Sequence, residues 1–192
     1  MKLSIVEGFD RVGKTKMATD LLNRIGEYDR NLFYKPPYAG LELKFDKTKA
    51  GWILGYSGLD MLVQSGVSRY NYHMVLDRHI ASSWVYNRLY SDGDGVDENV
   101  VVADLEVLAK FDKVVHYYIC HSNKESAYFI YCATMEKDTH IDRLDQFSDF
   151  DEYWAKYLDA YALFVEFYHK FNIPYSELKS VSNQSGYIME YI

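Results

Sequence analysis

Residues 8–15 of the 192-residue chain read GFDRVGKT, which matches the pattern G-x-x-x-x-G-K-[ST] in full. A short β-prone run over residues 2–6 precedes this stretch, and residues 14–25 follow it with apolar side chains at helical spacing. Glycines between a strand and a helix let backbone N–H groups turn inward, and the helix N-terminus adds partial positive charge. The stretch therefore predicts a loop that cradles phosphate groups.

The side chains of this loop predict how a nucleotide would be held. Lys14 would reach the β- and γ-phosphates of ATP, and the hydroxyl of Thr15 would bind Mg²⁺. We therefore expect ATP and Mg²⁺ as cofactors and Lys14 as a catalytic residue. The predicted ATP-binding residues are Gly8, Val12, Gly13, Lys14, Thr15 and Lys16.

The rest of the chain alternates between strand-like and helix-like segments. Such alternation implies right-handed βαβ crossovers and a parallel sheet covered on both faces. We predict one domain over residues 1–192, with a three-layer α/β P-loop NTPase fold and a mainly parallel, five-stranded sheet. The further predicted strands are 31–35, 72–76, 113–119 and a weaker one near Asn172. The further predicted helices are 80–90, about 97–110, 124–135 and about 149–171, with 41–70 mostly helical.

Composition and charge narrow the class of protein. The hydrophobic fraction of 48% and the charged fraction of 26% are those of an ordinary globular chain. A formal net charge of -7 argues against a large non-specific nucleic-acid surface, which would need clustered Lys and Arg. No apolar run approaches the roughly 20 residues that span a bilayer. We therefore expect a soluble, cytoplasmic protein that has no membrane partner and lacks a broad surface for nucleic acid.

Two groups of side chains are predicted to be structural. Cys120 and Cys132 lack metal-ligand spacing, so we expect reduced, buried thiols. The tyrosines between residues 153 and 168 follow helical spacing, so we expect them to pack and not to bind a ligand.

A phosphate-binding loop serves kinases and GTPases alike. GTPases read guanine with an Asn-Lys-x-Asp segment after a late strand, and residues 123–126 read Asn-Lys-Glu-Ser at that place. Because the aspartate is missing, the sequence disfavours a GTPase.

The pair Asp10-Arg11 resembles the phosphate loop of the thymidylate kinases whose loop carries Asp-Arg before Gly-Lys-Thr or Gly-Lys-Ser. The resemblance implies that Asp10 holds the sugar 3′-hydroxyl of the acceptor. It also implies that Arg11 is catalytic and helps to neutralise the transferring phosphoryl group. An arginine there would stabilise charge that spreads over the equatorial oxygens in the transition state.

A second motif follows the predicted strand 72–76. Asp77-Arg78-His79 is similar to the Asp-Arg-Tyr motif of the thymidylate kinases. The resemblance implies that Asp77 is catalytic, ordering Mg²⁺ or accepting the substrate proton, and that Arg78 bridges phosphates and contacts the acceptor. The implied contacts to the acceptor base and to the sugar 2′ position come from Ser82, Ser83 and Tyr86.

Arg143 stands before the long predicted helix 149–171 and resembles the arginine of the thymidylate kinase lid, here about 136–145. Such a lid closes over ATP and excludes water, which limits wasteful hydrolysis. The resemblance therefore adds Arg143 to the catalytic residues.

The resemblance fails where thymidylate kinases bind the acceptor. The family places a Phe and, four residues later, an Arg on its third helix, and the nearest counterparts here are Tyr56 and Asp60. The family's Phe-Pro-Arg segment is represented by Lys-Pro-Pro-Tyr at 35–38, and His79 replaces the family Tyr, as in herpesvirus thymidine kinases. The predicted acceptor contacts in these segments are Lys35, Tyr38 and Tyr56.

The resemblance implies transfer of the γ-phosphoryl group of ATP to a deoxypyrimidine nucleoside monophosphate, dTMP or a close analogue. A deoxynucleoside kinase is the second reading, because Asp60 and His79 depart from the monophosphate kinases. A kinase acting on polynucleotide ends or modified DNA bases is the third, and a nucleotide-binding sensor without turnover is the non-enzyme alternative. Homodimerisation is implied by the family alone.

Overall fold

Six strands and five helices make up the described part of the chain in the computed structural model, which covers residues 2–9, 11–23, 30–34, 72–90, 98–135, 147–183 and 186–191. The strands are β1 (Lys2–Gly8), β2 (Arg30–Tyr34), β3 (Tyr72–Asp77), β4 (Lys113–His121), β5 (Tyr175–Asn183) and β6 (Gly186–Tyr191). The helices are α1 (Lys14–Asn23), α2 (Ile80–Tyr90), α3 (Glu98–Leu108), α4 (Lys124–Met135) and α5 (Phe150–Lys170).

The strands form one sheet in the order β2-β3-β1-β4-β5-β6. The first five are parallel, and only β6 is antiparallel, to β5. The predicted mainly parallel α/β fold is confirmed. The predicted number of five strands is wrong, because the chain turns back after β5 and adds β6 as a hairpin at the sheet edge.

Alternation of side chains along the strands divides the core between the two faces of the sheet. Leu3 and Ile5 of β1 belong to the larger apolar cluster, together with buried residues of α2, α3 and α5. Val6, the next buried apolar residue of β1, packs instead with Met17 and Leu21 of α1. Helices therefore cover both faces, which confirms the three-layer arrangement.

Helix α5 begins where the sequence provides a cap. The side chain of Asp149 accepts a hydrogen bond from the N–H of Glu152 at 2.9 Å, which satisfies one of the free donors of the first turn. Its tyrosines at the predicted spacing are buried, so the expectation that they pack is confirmed; they are Tyr153, Tyr157, Tyr161 and Tyr168.

Both cysteines are reduced thiols outside any disulfide, as expected. Cys120 is buried on β4, but Cys132 is exposed on α4, so the expected burial of Cys132 is wrong. None of the helices in the described ranges has the length and apolar character to cross a membrane. The predicted helical segment 41–70 and the predicted lid, about 136–145, lie outside the described residues.

The core also contains a titratable ring. His116 of β4 stacks on Tyr168 of α5, with ring centroids 4.3 Å and planes 11° apart, and it also contacts Tyr161 and Tyr175. Neither of its ring nitrogens has a hydrogen-bond partner within the described residues. Burial, and then the nearby His79, lower the pKa of His116 from 6.5 to about 3. The ring therefore stays neutral in the folded protein at mildly acid pH.

We expect this histidine to make the fold sensitive to acid. The unfolded chain binds a proton at His116 below about pH 6.5, whereas the folded chain does so only near its lowered pKa of about 3. Stability present above pH 6.5 is therefore lost as the pH falls between these values. His116→Phe keeps a flat ring stacked on Tyr168 and removes the group that binds the proton. Between pH 7 and pH 5, urea unfolding should show the wild type losing about 2 kcal/mol more than the variant; equal losses would contradict this.

Candidate active site

The predicted phosphate loop connects β1 to α1 as expected. Three of its residues have a positive φ, at 146° for Gly8, 62° for Arg11 and 94° for Gly13. The helix begins at once, since the N–H of Met17 bonds to the carbonyl of Gly13 at 3.0 Å. The first turn of α1 therefore offers backbone N–H groups that no earlier carbonyl of the helix accepts, which suits an anion.

Gly8 is required for a steric reason as well. A Cβ at this position would lie 2.0 Å from the carbonyl oxygen of Ile119 on the neighbouring strand β4. A Cβ at Gly13 would meet nothing within 4 Å. The loop thus leaves the sheet at a point where β1 and β4 approach closely.

We expect Gly8→Ala to cost about 3 kcal/mol of stability or more, because it adds a backbone clash to an unfavourable φ. Gly13→Ala is the matched control, because it carries only the cost of the positive φ, about 1–2 kcal/mol. Urea unfolding of both variants measures the difference. Equal losses would show that the approach of Ile119 does not constrain the loop.

The predicted catalytic lysine is held inside the loop. Lys14 is buried, and its Nζ donates to the carbonyl oxygens of Gly8 at 3.0 Å and Phe9 at 2.5 Å. The ammonium group therefore lies inside the curve of the loop backbone, where the phosphates of a nucleotide would bind. Lys16, the next predicted contact, is exposed on the first turn of α1.

The second motif reaches the loop through Asp77. The pairing of β3 with β1 sets Asp77 opposite Val6, and the hydroxyl of Thr15 donates to Oδ2 of Asp77 at 2.6 Å. The carboxylate is buried whereas Thr15 is exposed. The two predicted metal ligands are thus adjacent.

Arg78 follows in a strained turn. Its φ is 79°, which is uncommon for a residue with a side chain, and its N–H donates to the carbonyl of Val6 at 2.9 Å. Its guanidinium donates to the Ser82 hydroxyl at 3.3 Å and lies 5.7 Å from the centre of the Tyr86 ring. Arg78 therefore contacts two other residues predicted to bind the acceptor, Ser82 and Tyr86 of α2.

Arg11 of the loop contacts helix α4. Its guanidinium is 5.8 Å from the centre of the Tyr131 ring of α4, within the range of a cation–π contact. Helix α4 and the loop thus share a contact through a predicted catalytic residue.

Two residues at the start of the loop, Glu7 just before it and Phe9 within it, were not predicted to belong to the site. Glu7 is buried, and it accepts hydrogen bonds from the N–H groups of His79 and Ser82 and from the Ser82 hydroxyl. Phe9 packs its ring against Trp154 and Tyr157 of α5, with distances between ring centroids of 4.8 Å and 4.7 Å. Their position was the available signal, because Glu7 adjoins the motif and Phe9 is one of its unspecified positions. A carboxylate at the end of a strand whose neighbouring residues are buried is also unusual.

His79 contributes its backbone to this arrangement. Its ring is buried, which lowers the pKa of the imidazole to about 3. The ring is therefore uncharged at neutral pH, so it does not add a cation to the site.

Residues 123–126 stabilise helices α4 and α5. A GTPase would recognise guanine at this place. The side chain of Asn123 accepts from the N–H of Ser126 at 2.8 Å, which caps α4. Lys124 pairs with Asp151 of α5 at 2.6 Å. These contacts agree with the absence of a guanine-reading motif.

The remaining predicted site residues are not described. The side chain of Ser83 lies outside the described residues, although its backbone is part of α2. The others outside the described residues are Asp10, Lys35, Tyr38, Tyr56 and Arg143.

The sheet order and the loop together define the class of protein. A parallel sheet in the order β2-β3-β1-β4-β5 carries the phosphate loop after β1 and Asp-Arg after the neighbouring β3. This is the arrangement of the P-loop NTPase fold.

Comparisons with known proteins agree with this class. The chain is 26% identical over 127 residues to a putative thymidylate kinase of Acidianus bottle-shaped virus, over 63% of this chain and 72% of that protein. Thymidylate kinase from Candida albicans shares the fold with a TM-score of 0.51 and 17% identity, over 94% of this chain and 84% of that one. Polyphosphate kinase 2 from Arthrobacter aurescens TC1 also shares the fold, with a TM-score of 0.61 and 15% identity. The match covers 92% of this chain and 60% of that one. No family model matches the chain.

The chain is therefore thymidylate kinase-like in sequence and has the P-loop kinase fold. The resemblance found from its motifs is confirmed.

Proposed function

We propose that the chain transfers the γ-phosphoryl group of ATP to a deoxypyrimidine nucleoside 5′-monophosphate, dTMP or a close analogue. The observation that carries this proposal is the 2.6 Å contact between Thr15 Oγ1 and Asp77 Oδ2. Because this contact joins the end of β3 to the phosphate loop, a nucleotide on the loop would face Asp77 and Arg78. We expect the protein to act in the cytoplasm as a homodimer.

The oxygens around Thr15 fit Mg²⁺. The Thr15 hydroxyl and the Asp77 carboxylate are hard oxygen donors, which this ion prefers. Within the described residues no three His, Cys, Asp or Glu side chains form a metal cage, and Mg²⁺ beside phosphates commonly takes only one or two protein ligands. The ion would neutralise charge on the phosphates of bound ATP.

The proposed roles of the chain's own residues follow from their charges. Lys14 and Arg11 would stabilise negative charge on the transferring group from within the loop. Asp77 would order Mg²⁺ beside the phosphates, and Arg78 would hold the acceptor phosphate. The residues proposed to complete the acceptor and lid sites are Asp10, Lys35, Tyr38, Tyr56, Ser82, Ser83, Tyr86 and Arg143.

A deoxynucleoside kinase is the second candidate. The observation that favours it is Asp60, which stands where thymidylate kinases place the arginine that grips the acceptor phosphate. A carboxylate there would repel a monophosphate and would tolerate a neutral nucleoside.

An ATP-consumption panel distinguishes these functions. It would contain dTMP, dUMP, dCMP, 5-hydroxymethyl-dUMP, thymidine, deoxycytidine and a DNA oligonucleotide. We expect the highest kcat/KM with one of the deoxypyrimidine monophosphates. Preference for thymidine or deoxycytidine would support the nucleoside kinase, and turnover of the oligonucleotide alone would support a DNA kinase. ATP binding without turnover of any acceptor would contradict catalysis and favour a nucleotide sensor.

A further inference from the structure

Glu7 connects the phosphate loop to the turn that carries Arg78. It immediately precedes Gly8 at the end of β1, and its side chain is 1% exposed. Oε1 accepts from the N–H of His79 at 2.5 Å and from the N–H of Ser82 at 3.2 Å, and Oε2 accepts from the Ser82 hydroxyl. A carboxylate from a separate strand thus caps the N-terminus of α2 and spans the Asp-Arg turn.

A helix cap alone does not require a buried charge. Burying a carboxylate is unfavourable unless donors and an opposite charge compensate for it. Here burial raises the pKa of Glu7, while the Ser82 hydrogen bond and the charge of Arg78 act in the opposite direction. The opposite charge that favours the ionised form thus belongs to the arginine proposed to hold the acceptor phosphate.

The same arginine occupies a backbone conformation that needs support. The φ of 79° at Arg78 is unfavourable for an L-residue. The hydrogen bonds of Glu7 to His79 and Ser82 fix the chain immediately after this residue. The Ser82 hydroxyl links the two groups directly, since it donates to Glu7 and accepts from Arg78.

We propose that Glu7 is a positioning residue, which holds the Arg78 guanidinium in place for the acceptor phosphate through the Ser82 bridge and the opposite charge. This inference rests on the proposed function. It goes beyond the phosphate-loop motif, because residue 7 lies outside that motif.

A double-mutant cycle tests this role. Glu7→Gln keeps the shape and an acceptor oxygen but removes the charge. We expect it to lower kcat/KM for dTMP by about 10- to 100-fold and, in an Arg78→Ala background, by less than about threefold, because its effect passes through Arg78. Asp151→Asn, which neutralises an exposed carboxylate at the start of α5, is the control and should leave activity unchanged. Equal losses in both backgrounds would show a merely structural residue and overturn the proposal.

Amide exchange separates failure of this inference from failure of the proposed function. If the wild type phosphorylates no acceptor, the proposed function fails, and exchange of the His79 and Ser82 amides still tests Glu7. We expect both amides to be protected in the wild type and in Glu7→Gln, and to exchange at least about tenfold faster in Glu7→Ala. Unchanged exchange in Glu7→Ala would show that Glu7 does not hold the turn, and would overturn the inference.

Discussion

Replacing Lys14 by alanine is expected to lower the rate of phosphoryl transfer by about 10²- to 10³-fold while leaving the protein folded. The Lys14 ammonium lies inside the loop, bonded to the carbonyls of Gly8 and Phe9. A nucleotide on the loop would offer it phosphate oxygens in their place, and the charge that grows on them in the transition state would lose its cation in the variant. Radiolabelled transfer from ATP to the best acceptor of the panel measures the effect.

The control is Lys113→Ala. Lys113 is exposed and begins β4, opposite Lys2 at the far end of the parallel strands from the loop. Removing its charge should change the rate by less than about twofold. A Lys14→Ala enzyme that keeps its rate within threefold of the wild type would contradict the kinase proposal, provided that its unfolding transition is unchanged.

The phosphate loop was predictable because its requirements are local. The spacing of Gly8, Gly13 and Lys14 specifies a turn with positive φ followed at once by a helix, and the structure has both. The central strand β4 and the helices around it were predictable for a similar reason, because each carries its own apolar periodicity.

The contacts between distant motifs needed more than spacing. Thr15 and Asp77 are 62 positions apart, and only the pairing of β1 with β3 brings them together. The resemblance to thymidylate kinases implied this arrangement, whereas periodicity alone would have given two unrelated charged turns.

Glu7 and β6 show two different reasons for a missed feature. Glu7 accepts no hydrogen bond from its own segment among these contacts, since the three donors belong to His79 and Ser82, more than 70 positions later. β6 follows a polar strand, Tyr175–Asn183, whose weak apolar pattern predicted at most one edge strand. An antiparallel strand can be joined to its neighbour by a turn of only two residues, so no long connecting segment in the sequence indicates it.

Replacing Arg78 should have the second large effect on activity. We expect Arg78→Ala to lower kcat/KM for dTMP by about 10- to 100-fold, because a charge-assisted contact to the acceptor phosphate is lost. Arg88→Ala is the matched control on α2, the helix that follows Arg78, since Arg88 is exposed and its guanidinium lies 4.5 Å from the centre of the Trp84 ring. Full dTMP activity in Arg78→Ala would show that the acceptor phosphate is held elsewhere.

Stability separates a loss of contact from a loss of fold at this position. Because Arg78 has a φ of 79°, glycine is the one residue that adopts its conformation without steric cost. Arg78→Gly should therefore be more stable than Arg78→Ala by about 1 kcal/mol, although both lose the guanidinium and its attraction to Glu7. If both variants lose dTMP activity equally while differing in stability in this direction, the activity resides in the guanidinium group. If Arg78→Gly is instead more active than Arg78→Ala as well as more stable, the loss of activity is due to disturbance of the turn at residue 78.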